Sequence, residues 1–469
     1  MASPQKLAER LLAILDRDEA RLKRIDDYLH GKHADPYIPL NADAEYRLLA
    51  RRAVSNWMPL LVATPAQAMY VDGFRRGHAA GGDSRQSGDS PEWGYWQRSR
   101  MDARQAAVYR GAISYGHSFV LTEKRNGHVN FRGLSALRTA ALFVDPANDE
   151  DPYAALTVEF PLVGETEGLA YLWDDTYKYA VALTPAGPKV KAGVRHGADT
   201  CPVTRFSASV DLEGRTVGVI EPMIPLQDRI NQTVFDLLVA QTYGSFKVRY
   251  VTGMAPPIER DENGDPVLDA AGNPKPLPID HNARRFLFAE DEGVKFGSLD
   301  ETPLDGYIAS IDMSIRHLAS VSQTPPHHLL GQIANISAEA LAAAETALSR
   351  KVEEFRKGFG ESWERVFRLA ARLNGDETNA ENFSGEVVWR DMEQRSLAQS
   401  ADALGKLADQ LGIPKRGLWP RVPGVTQVEL DDWNAMHTED DSQGSLAAAI
   451  SKAGFGGLGA DTGPTLAAA

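Results

Sequence analysis

Residues 337–375 read SAEALAAAETALSRKVEEFRKGFGESWERVFRLAARLNG, and no other stretch of the chain constrains the architecture as strongly. Apolar side chains recur at intervals of three, four and seven, which predicts one amphipathic helix that begins near Ser337 and ends at Asn374-Gly375. Roughly 36 helical residues span about 54 Å, several times the usual length. The apolar stripe consists of Leu341, Leu348, Val352, Phe355, Phe359, Trp363, Val366, Leu369 and Leu373.

Two further helices are predicted upstream of this long helix. One begins after Pro222 and Pro225 and stops at Gly244, and the other begins near Pro303 and stops at Pro325-Pro326. Two strand candidates, Phe246–Val251 and Arg285–Phe288, lie between the helices. They bracket a loop, Pro256–Pro278, that is rich in Pro, Gly, Asp and Asn. The pattern therefore indicates a small β-containing excursion between two helices.

The N-terminal half changes from helix to sheet. Leu7 to Leu29 has helical spacing, and a second helix is expected from near Asn41 through Trp57, until Pro59 and Pro65 interrupt it. A third helix over Met101–Tyr115 should pass through Gly116 into a strand over His117–Thr122. From residue 131 to 217 the residues favour strands, and the alternation over 168–183 around Asp174-Asp175 predicts a β-hairpin.

The segments on either side of these elements are simpler. Residues 83–91 are expected to form a loop, and Glu386–Trp389 a short strand after the long helix. A helix over Leu397–Leu411 should stop at Gly412 and Pro414, and the tail from Ala447 has a composition typical of flexible chain.

Composition limits the classes of function. The chain has 469 residues, of which 43% are hydrophobic and 24% charged, so it is long enough for more than one folding unit. Its net charge of −14 disfavours sequence-specific binding to DNA. The single cysteine, Cys201, excludes a disulfide within one chain. No membrane span or signal peptide is recognisable, which favours folding in the cytoplasm.

Motifs for catalysis are absent or lack context. No Gly-x-x-x-x-Gly-Lys phosphate loop occurs, and Gly116-His117-Ser118 lacks the second glycine of a nucleophile elbow. We expect the adjacent His327 and His328, on an extended loop, to point opposite ways and to bind no metal. The acid pairs at 174–175, 431–432 and 440–441 are more typical of turns and surfaces than of a two-metal nuclease. The sequence therefore predicts no catalytic residue, no cofactor and no metal.

Three stretches, in this order along the chain, carry a resemblance to a known family. They are IEPMIPLQDRIN at 220–231, SQTPP at 322–326 with NISAEAL at 335–341, and the long helix itself. Weaker support comes from SYGHSFV at 114–120 and from Gly412-Ile413-Pro414 followed by Leu418 and Pro423-Gly424. Over residues 6–433 the chain resembles the portal proteins of long-tailed bacteriophages, especially phages of actinobacteria.

The resemblance implies an α+β portal-type subunit that assembles into a ring of twelve. Laid onto the family plan, the chain has a mixed α/β wing at 1–221, stem helices at 222–243 and 303–322, a small β-containing clip at 244–302, a tunnel loop at 323–336, a long wing helix with a returning strand at 337–396, a helical crown at 397–446 and a flexible tail at 447–469.

The resemblance also implies a structural function, in which this chain catalyses no reaction. The ring would sit at one capsid vertex of the virion after assembly in the host cytoplasm. It would contact the terminase large subunit, the major capsid and scaffolding proteins, a head-completion or adaptor protein, and double-stranded DNA that passes without specific contacts. The tunnel-loop residues implied are Gln323, Thr324, Pro325, Gly331, Gln332 and Asn335, and the docking residues in the clip are Gly253, Glu259, Arg260, Asp261 and Asn263.

The expected tunnel loop departs from the family pattern in one respect, and two alternative functions stay open. No Lys or Arg occurs between Gln323 and Ser337, which disfavours gripping of phosphates by charge. A metal-dependent nuclease or other phage hydrolase would explain the scattered acids and histidines. A capsid or adaptor protein other than a portal would explain the absence of chemistry.

Overall fold

The computed structural model describes residues 3–38, 44–75, 91–149, 151–160, 168–244, 249–252, 258–269, 272–275, 293, 295–298, 302–331, 338–390, 397–425, 429–430 and 432–437. The chain is mixed α/β and divides into two compact units. Unit 1 comprises Met1–His33, Asn56–Gln227 and Ile315–Ala469, and unit 2 comprises Ala34–Ser55 and Asp228–Ser314. No described helix is both long and apolar enough to cross a membrane.

The first core of unit 1 joins the N-terminal helix to an antiparallel sheet. Helix α1, Pro4–Leu29, begins at Ser3, whose hydroxyl accepts a hydrogen bond from the Lys6 N–H. Leu7, Ala8 and Leu11 on this helix are buried against the sheet. The strands are β4 Thr139–Leu142, β5 Ala154–Val158, β6 Gly168–Trp173, β7 Tyr177–Thr184, β8 Gly187–Val190 and β9 Val194–Arg195, in the order β4-β5-β6-β7-β8 with β9 beside β7.

The hairpin predicted over residues 168–183 is confirmed. Strands β6 and β7 pair antiparallel from Gly168 with Leu183 to Trp173 with Lys178. Asp174 forms the turn, since its Oδ1 accepts hydrogen bonds from the N–H groups of Thr176 (2.8 Å) and Tyr177 (2.6 Å).

The second core of unit 1 is built around the long helix, which is confirmed as α9, Ala338–Leu373. Every residue of the predicted apolar stripe from Leu348 onward is buried. The helix packs on a three-stranded sheet of order β10-β2-β3. The sheet and its neighbours are α4 Pro91–Arg98, α5 Met101–Tyr115, β2 His117–Arg125, β3 His128–Leu134 and β10 Val203–Ser207. The strand expected after the long helix is β13, Glu386–Trp389, and it pairs with β1, Val71–Arg75.

The helix expected to run from near Asn41 through Trp57 is confirmed only in part: it stops before Trp57, and Pro65 lies inside the next helix instead of interrupting the pattern. The structure has α2, Ala44–Arg52, and a separate helix α3, Met58–Gln67, with Pro59 in its first turn. A proline in the first turn loses no helical hydrogen bond, so Pro59 starts a helix rather than stopping one. The expected start near Asn41 and the loop expected at 83–90 lie outside the described residues.

Gly116 joins helix α5 to strand β2, as predicted, and the backbone requires glycine there. Its φ is +94°, and a Cβ at this position would lie 2.7 Å from the Thr216 carbonyl oxygen. The Gly116 N–H continues the helix by donating to the Ala112 carbonyl at 2.9 Å. The chain therefore turns sharply from the core helix into the central strand of the sheet.

The described part of unit 2 contains helices and short strands. Phe235, on α6 Ile224–Gly244, packs against Leu49, Ala50 and Ala53 near helix α2. Strand β11, Arg249–Thr252, pairs antiparallel with β12, Lys295–Ser298. The strand expected at Arg285–Phe288 lies outside the described residues, and β12 was not predicted. Helix α7, Asp305–Ser322, ends before Pro325-Pro326 as expected.

The remaining described helices follow α7. The expected extended loop around the two histidines contains a one-turn helix, α8, Pro326–Leu330. Three more lie after α9: α10 Glu377–Ala380, α11 Leu397–Leu411 and α12 Lys415–Leu418. Helix α11 confirms the helix predicted before Gly412 and Pro414.

An aromatic cluster connects α9 to the second core. Trp363 lies edge-on to Trp96 (4.8 Å between ring centroids) and to Phe206 (4.7 Å). Its indole N–H donates to the Tyr109 hydroxyl at 2.8 Å, and that hydroxyl donates to Gln105 Oε1 at 3.1 Å. Gln105 Oε1 also accepts from the Val71 N–H at 2.7 Å. These buried bonds join α9, α5 and β1.

Tyr109→Phe should destabilise unit 1, because it removes the only hydrogen-bond acceptor shown for the buried Trp363 indole in the described residues. An unsatisfied buried donor costs about 1–3 kcal/mol. The measurement is the urea midpoint of unfolding, followed by tryptophan fluorescence. Tyr177→Phe, at a partly exposed ring (39%), is the matched control and should leave the midpoint unchanged. Equal midpoints for the two variants would contradict the role of this bond.

Candidate functional site

The end of helix α7 forms a tight, buried turn. The Thr324 N–H donates to the Ala319 carbonyl (2.9 Å), and the Gln323 N–H donates to the Ser320 carbonyl (3.3 Å). This pair of bonds is a Schellman arrangement, which places Gln323 in the left-handed region at φ +54°. A residue with a side chain costs about 1–2 kcal/mol there relative to right-handed backbone. Surrounding contacts must therefore hold the turn.

Lys351 on α9 supplies one such contact. Its Nζ donates to the Ser322 carbonyl at 2.8 Å, which satisfies a free carbonyl at the end of α7. Burial lowers the pKa of Lys351 to about 8, and the nearby Glu354 carboxylate opposes this shift. Thus α9 fixes the point at which the chain leaves α7.

The next residues are also ordered by local geometry. Helix α8 begins after Pro325 and ends at Gly331, whose φ is +66° and whose N–H donates to the His327 carbonyl at 3.0 Å. Leu329 is buried. Of the six predicted tunnel-loop residues, Thr324 and Pro325 are buried, Gln323 and Gly331 are exposed, and Gln332 and Asn335 lie outside the described residues.

The two histidines of α8 do not point opposite ways, so that expectation is wrong. Their rings lie edge to face with centroids 4.5 Å apart. Both Nε2 atoms contact the same oxygen, Glu345 Oε1 on α9, at 2.9 Å for His327 and 3.1 Å for His328. The expectation assumed extended chain, whereas helical backbone turns successive side chains by about 100° rather than 180°.

The described part of the predicted clip contains two successive reverse turns of the same design. Asp261 Oδ1 accepts from the Asn263 and Asp265 N–H groups at 2.9 Å each, and Asp269 Oδ1 accepts from the Asn273 N–H at 2.9 Å. The sequence repeats as DENGDP at 261–266 and DAAGNP at 269–274. This short repeat was a readable signal that sequence reasoning missed.

These turns bring most of the predicted docking residues together. Arg260, Asp261 and Asn263 are exposed around the first turn, and Glu259 is half-buried beside it. The Arg260 guanidinium donates to the Gly264 carbonyl at 2.8 Å. Glu259 binds Lys275 twice, through its N–H to the Lys275 carbonyl (2.9 Å) and through its carboxylate to Nζ (2.7 Å). Gly253 lies outside the described residues.

The acid pairs show no convergent carboxylate site within the described part of the chain. Asp174 caps the hairpin turn, and burial together with the Asp174 charge raises the pKa of Asp175. Of the other two pairs, only Asp432 is described. Among the described residues, His327, His328 and Glu345 are the one group of at least three His, Cys, Asp or Glu side chains close enough to share a metal ion.

Comparison with known proteins defines the class of the chain. Residues 8–443 match the family model described as "Phage portal protein, SPP1 Gp6-like". The chain therefore belongs to the phage portal protein family, as the sequence resemblance predicted.

Individual relatives agree with this membership. The chain is 23% identical to the portal protein of Mycobacterium phage D29 over 463 residues, which cover 95% of this chain and 90% of the relative. It is 26% identical to the portal protein of Mycobacterium phage L5 over 374 residues, which cover 74% and 71% of the two chains.

Two solved structures are more distant. One is the neck of an empty GTA particle computed with C6 symmetry (TM-score 0.43, 12% identity, 78% of this chain and 90% of that chain). The other is the virion of a native gene transfer agent particle (TM-score 0.39, 10% identity, 83% and 94%). Both TM-scores lie below 0.5, so the family membership rests on sequence.

Lys351 should make the stability of the protein rise between pH 8 and pH 10.5. Its pKa is lowered from 10.5 to about 8 in the folded chain, so in this window the unfolded chain binds more protons than the folded chain. The free energy of unfolding then increases with pH. In Lys351→Met this increase should disappear, as measured by urea midpoints at pH 7, 8, 9 and 10.

Lys406→Met is the matched control, because the Lys406 side chain is 61% exposed. This variant should keep the wild-type pH dependence. If the urea midpoints of Lys351→Met and the wild type differ by the same amount at every pH, the pKa of Lys351 is not lowered by burial.

Proposed function

We propose that this portal protein forms a closed ring at one capsid vertex of the virion, after assembly in the host cytoplasm, and that phage DNA enters and leaves through the ring. The observation that supports this most is the family match over residues 8–443. In this proposal the ring contacts capsid and scaffolding proteins, docks the terminase large subunit during packaging, and later docks a head-completion or adaptor protein. A separate motor hydrolyses ATP, and this chain has no catalytic activity.

Apolar side chains exposed in the single chain support assembly with neighbours. Ile308 and Met313 on α7 are each 55% exposed. Among the residues that the structure describes, the sheet of β11 and β12 has two strands, and a two-stranded sheet by itself is at best marginally stable in water. Head-to-tail contacts around a rotation axis would cover such side chains and extend the sheet in every subunit at once. Twelve copies is the number that the family resemblance implies.

Net charge favours passage of DNA over tight binding. Each subunit carries −14, so twelve subunits carry about −170. In this proposal part of that charge faces the lumen, where it would repel phosphates and release no counterions on contact, and so leave little affinity to slow a moving duplex. The DNA therefore moves through the ring without specific base contacts.

The tunnel lining in this proposal lies on both sides of helix α8. Thr324 and Pro325 are buried within the chain, so they hold the segment in place rather than contact DNA. The residues we assign to the lumen are the exposed Gln323 together with Gly331, Gln332 and Asn335. They are uncharged, which suits contact through polarity and shape.

Docking of the motor is assigned to the two reverse turns at 258–275. Exposed loops on a fixed scaffold commonly carry partner contacts. The side chains offered are of mixed charge: Glu259, Arg260, Asp261 and Asn263. The hydrolase alternative gains no support from the paired acids, since none of those that the structure describes belongs to a group that could share an ion.

Ile308→Asp should shift the protein from rings to smaller species. A carboxylate forced into an apolar contact between subunits costs several kcal/mol, repeated at each boundary. Mass photometry of the wild type should show a species near 610 kDa, which is about twelve times 51.2 kDa.

The matched control for this prediction is Leu212→Asp, at a leucine that is 90% exposed in a reverse turn. The control should keep the ring mass. Rings that persist in Ile308→Asp would show that this face of α7 does not lie between subunits.

Removal of residues 260–274 should leave the fold and the ring intact but abolish DNA packaging. The ends of the excised segment are adjacent, because the Glu259 N–H already donates to the Lys275 carbonyl at 2.9 Å, so a Gly-Gly linker can join them. Packaging is measured by complementation of a portal-deficient phage, with mass photometry as the control for assembly. Normal phage yield from this variant would show that residues 260–274 do not dock the motor.

A further inference from the structure

We propose that His327, His328 and Glu345 form a binding site for one Zn²⁺ ion per subunit. The site goes beyond the conduit function and does not depend on it. It also replaces the expectation that these histidines bind no metal, which assumed an extended backbone. The three ligand atoms lie within 4.8 Å of one another.

The distances suit an ion placed among the three ligand atoms. His327 Nε2 and His328 Nε2 both point at Glu345 Oε1, at 2.9 and 3.1 Å. Tetrahedral zinc with bonds of about 2.0–2.1 Å holds its ligands about 3.3 Å apart. The two distances from Nε2 to Oε1 therefore need to change by only a few tenths of an ångström, and the two Nε2 atoms lie within 4.8 Å of each other. Zinc binding requires both Nε2 atoms to be unprotonated, so the ion would replace any proton that they carry.

The chemistry of the donors selects the class of ion. Two imidazole nitrogens and one carboxylate oxygen suit Zn²⁺ and related transition metals, whereas Mg²⁺ and Ca²⁺ prefer oxygen alone. The exposed side-chain fractions are 8% for His327, 31% for His328 and 35% for Glu345. One side of the group is thus open, so a water molecule can complete the four ligands.

The backbone around the site is preorganised. Pro325 and Pro326 start helix α8, Gly331 ends it, and the buried Leu329 anchors it between the ends. Glu345 lies on α9, the longest described helix, and does not depend on α8 for its position. Preorganised ligands lose less conformational entropy on binding, which favours affinity.

A bound ion would connect α8 to α9 and so restrain both ends of residues 332–337. If the segment after α8 lines the tunnel, a point that rests on the proposed function, zinc would fix the position of the helix from which that segment continues. The binding experiment uses purified protein without DNA, so its failure is distinct from failure of the conduit function.

The test is calorimetric titration of the full chain with ZnCl₂ after removal of metals by a chelator. We expect one ion per chain in the wild type. In His328→Gln and in Glu345→Gln the affinity for zinc should fall by about tenfold or more. His128→Gln, at an exposed histidine outside the site, is the matched control and should bind as the wild type does. His328→Gln is the primary variant, because the more exposed His328 is less needed for packing.

A second measurement separates zinc coordination from nonspecific binding. Co²⁺ added to the metal-free protein should give the visible absorption typical of four-coordinate cobalt, and His328→Gln should lose it. Equal zinc affinity in the wild type and His328→Gln would overturn the proposal. So would the absence of zinc binding by the wild type, or displacement of the ion by equimolar Mg²⁺.

Discussion

Burial of one face of helix α9 is the constraint on which the other features of unit 1 depend. Phe359, Trp363 and Phe367 are almost fully buried against the sheet and its flanking helices. Side chains of this size contribute about 1.5–3 kcal/mol each when buried, so this face dominates the local energetics. The same helix presents Lys351 to the end of α7 and Glu345 to α8. A single rigid element therefore positions both the core and the segment that we assign to the tunnel.

Local periodicity was sufficient to predict the elements that bury a continuous stripe. The long helix, the hairpin around Asp174, the Gly116 turn and the stop before Pro325 all follow from side-chain spacing and backbone preferences. Predictions failed where a proline begins a helix, as at Pro59 and Pro326, because the same residue also ends helices. Strand β12, Lys295–Ser298, was missed because four residues with a glycine among them carry almost no pattern.

The candidate site was less predictable than the fold, for a physical reason. Which side chains meet depends on contacts between residues distant in sequence, such as His327 with Glu345 and Lys351 with Ser322. The family resemblance suggested the function, because we recognised no catalytic motif in the sequence. The features that support the proposed function are exposed apolar side chains on α7 and, among the described residues, a sheet of two strands. In the proposed ring, neighbouring subunits would cover these side chains and extend this sheet.

The most direct test of this account is electron cryo-microscopy of the purified protein. The account predicts a closed ring with rotational symmetry and a central hole, with the α7 face that carries Ile308 between neighbouring subunits and residues 331–336 around the hole. A particle that stays a single 51.2 kDa chain at all concentrations, or an assembly without a central hole, would contradict it.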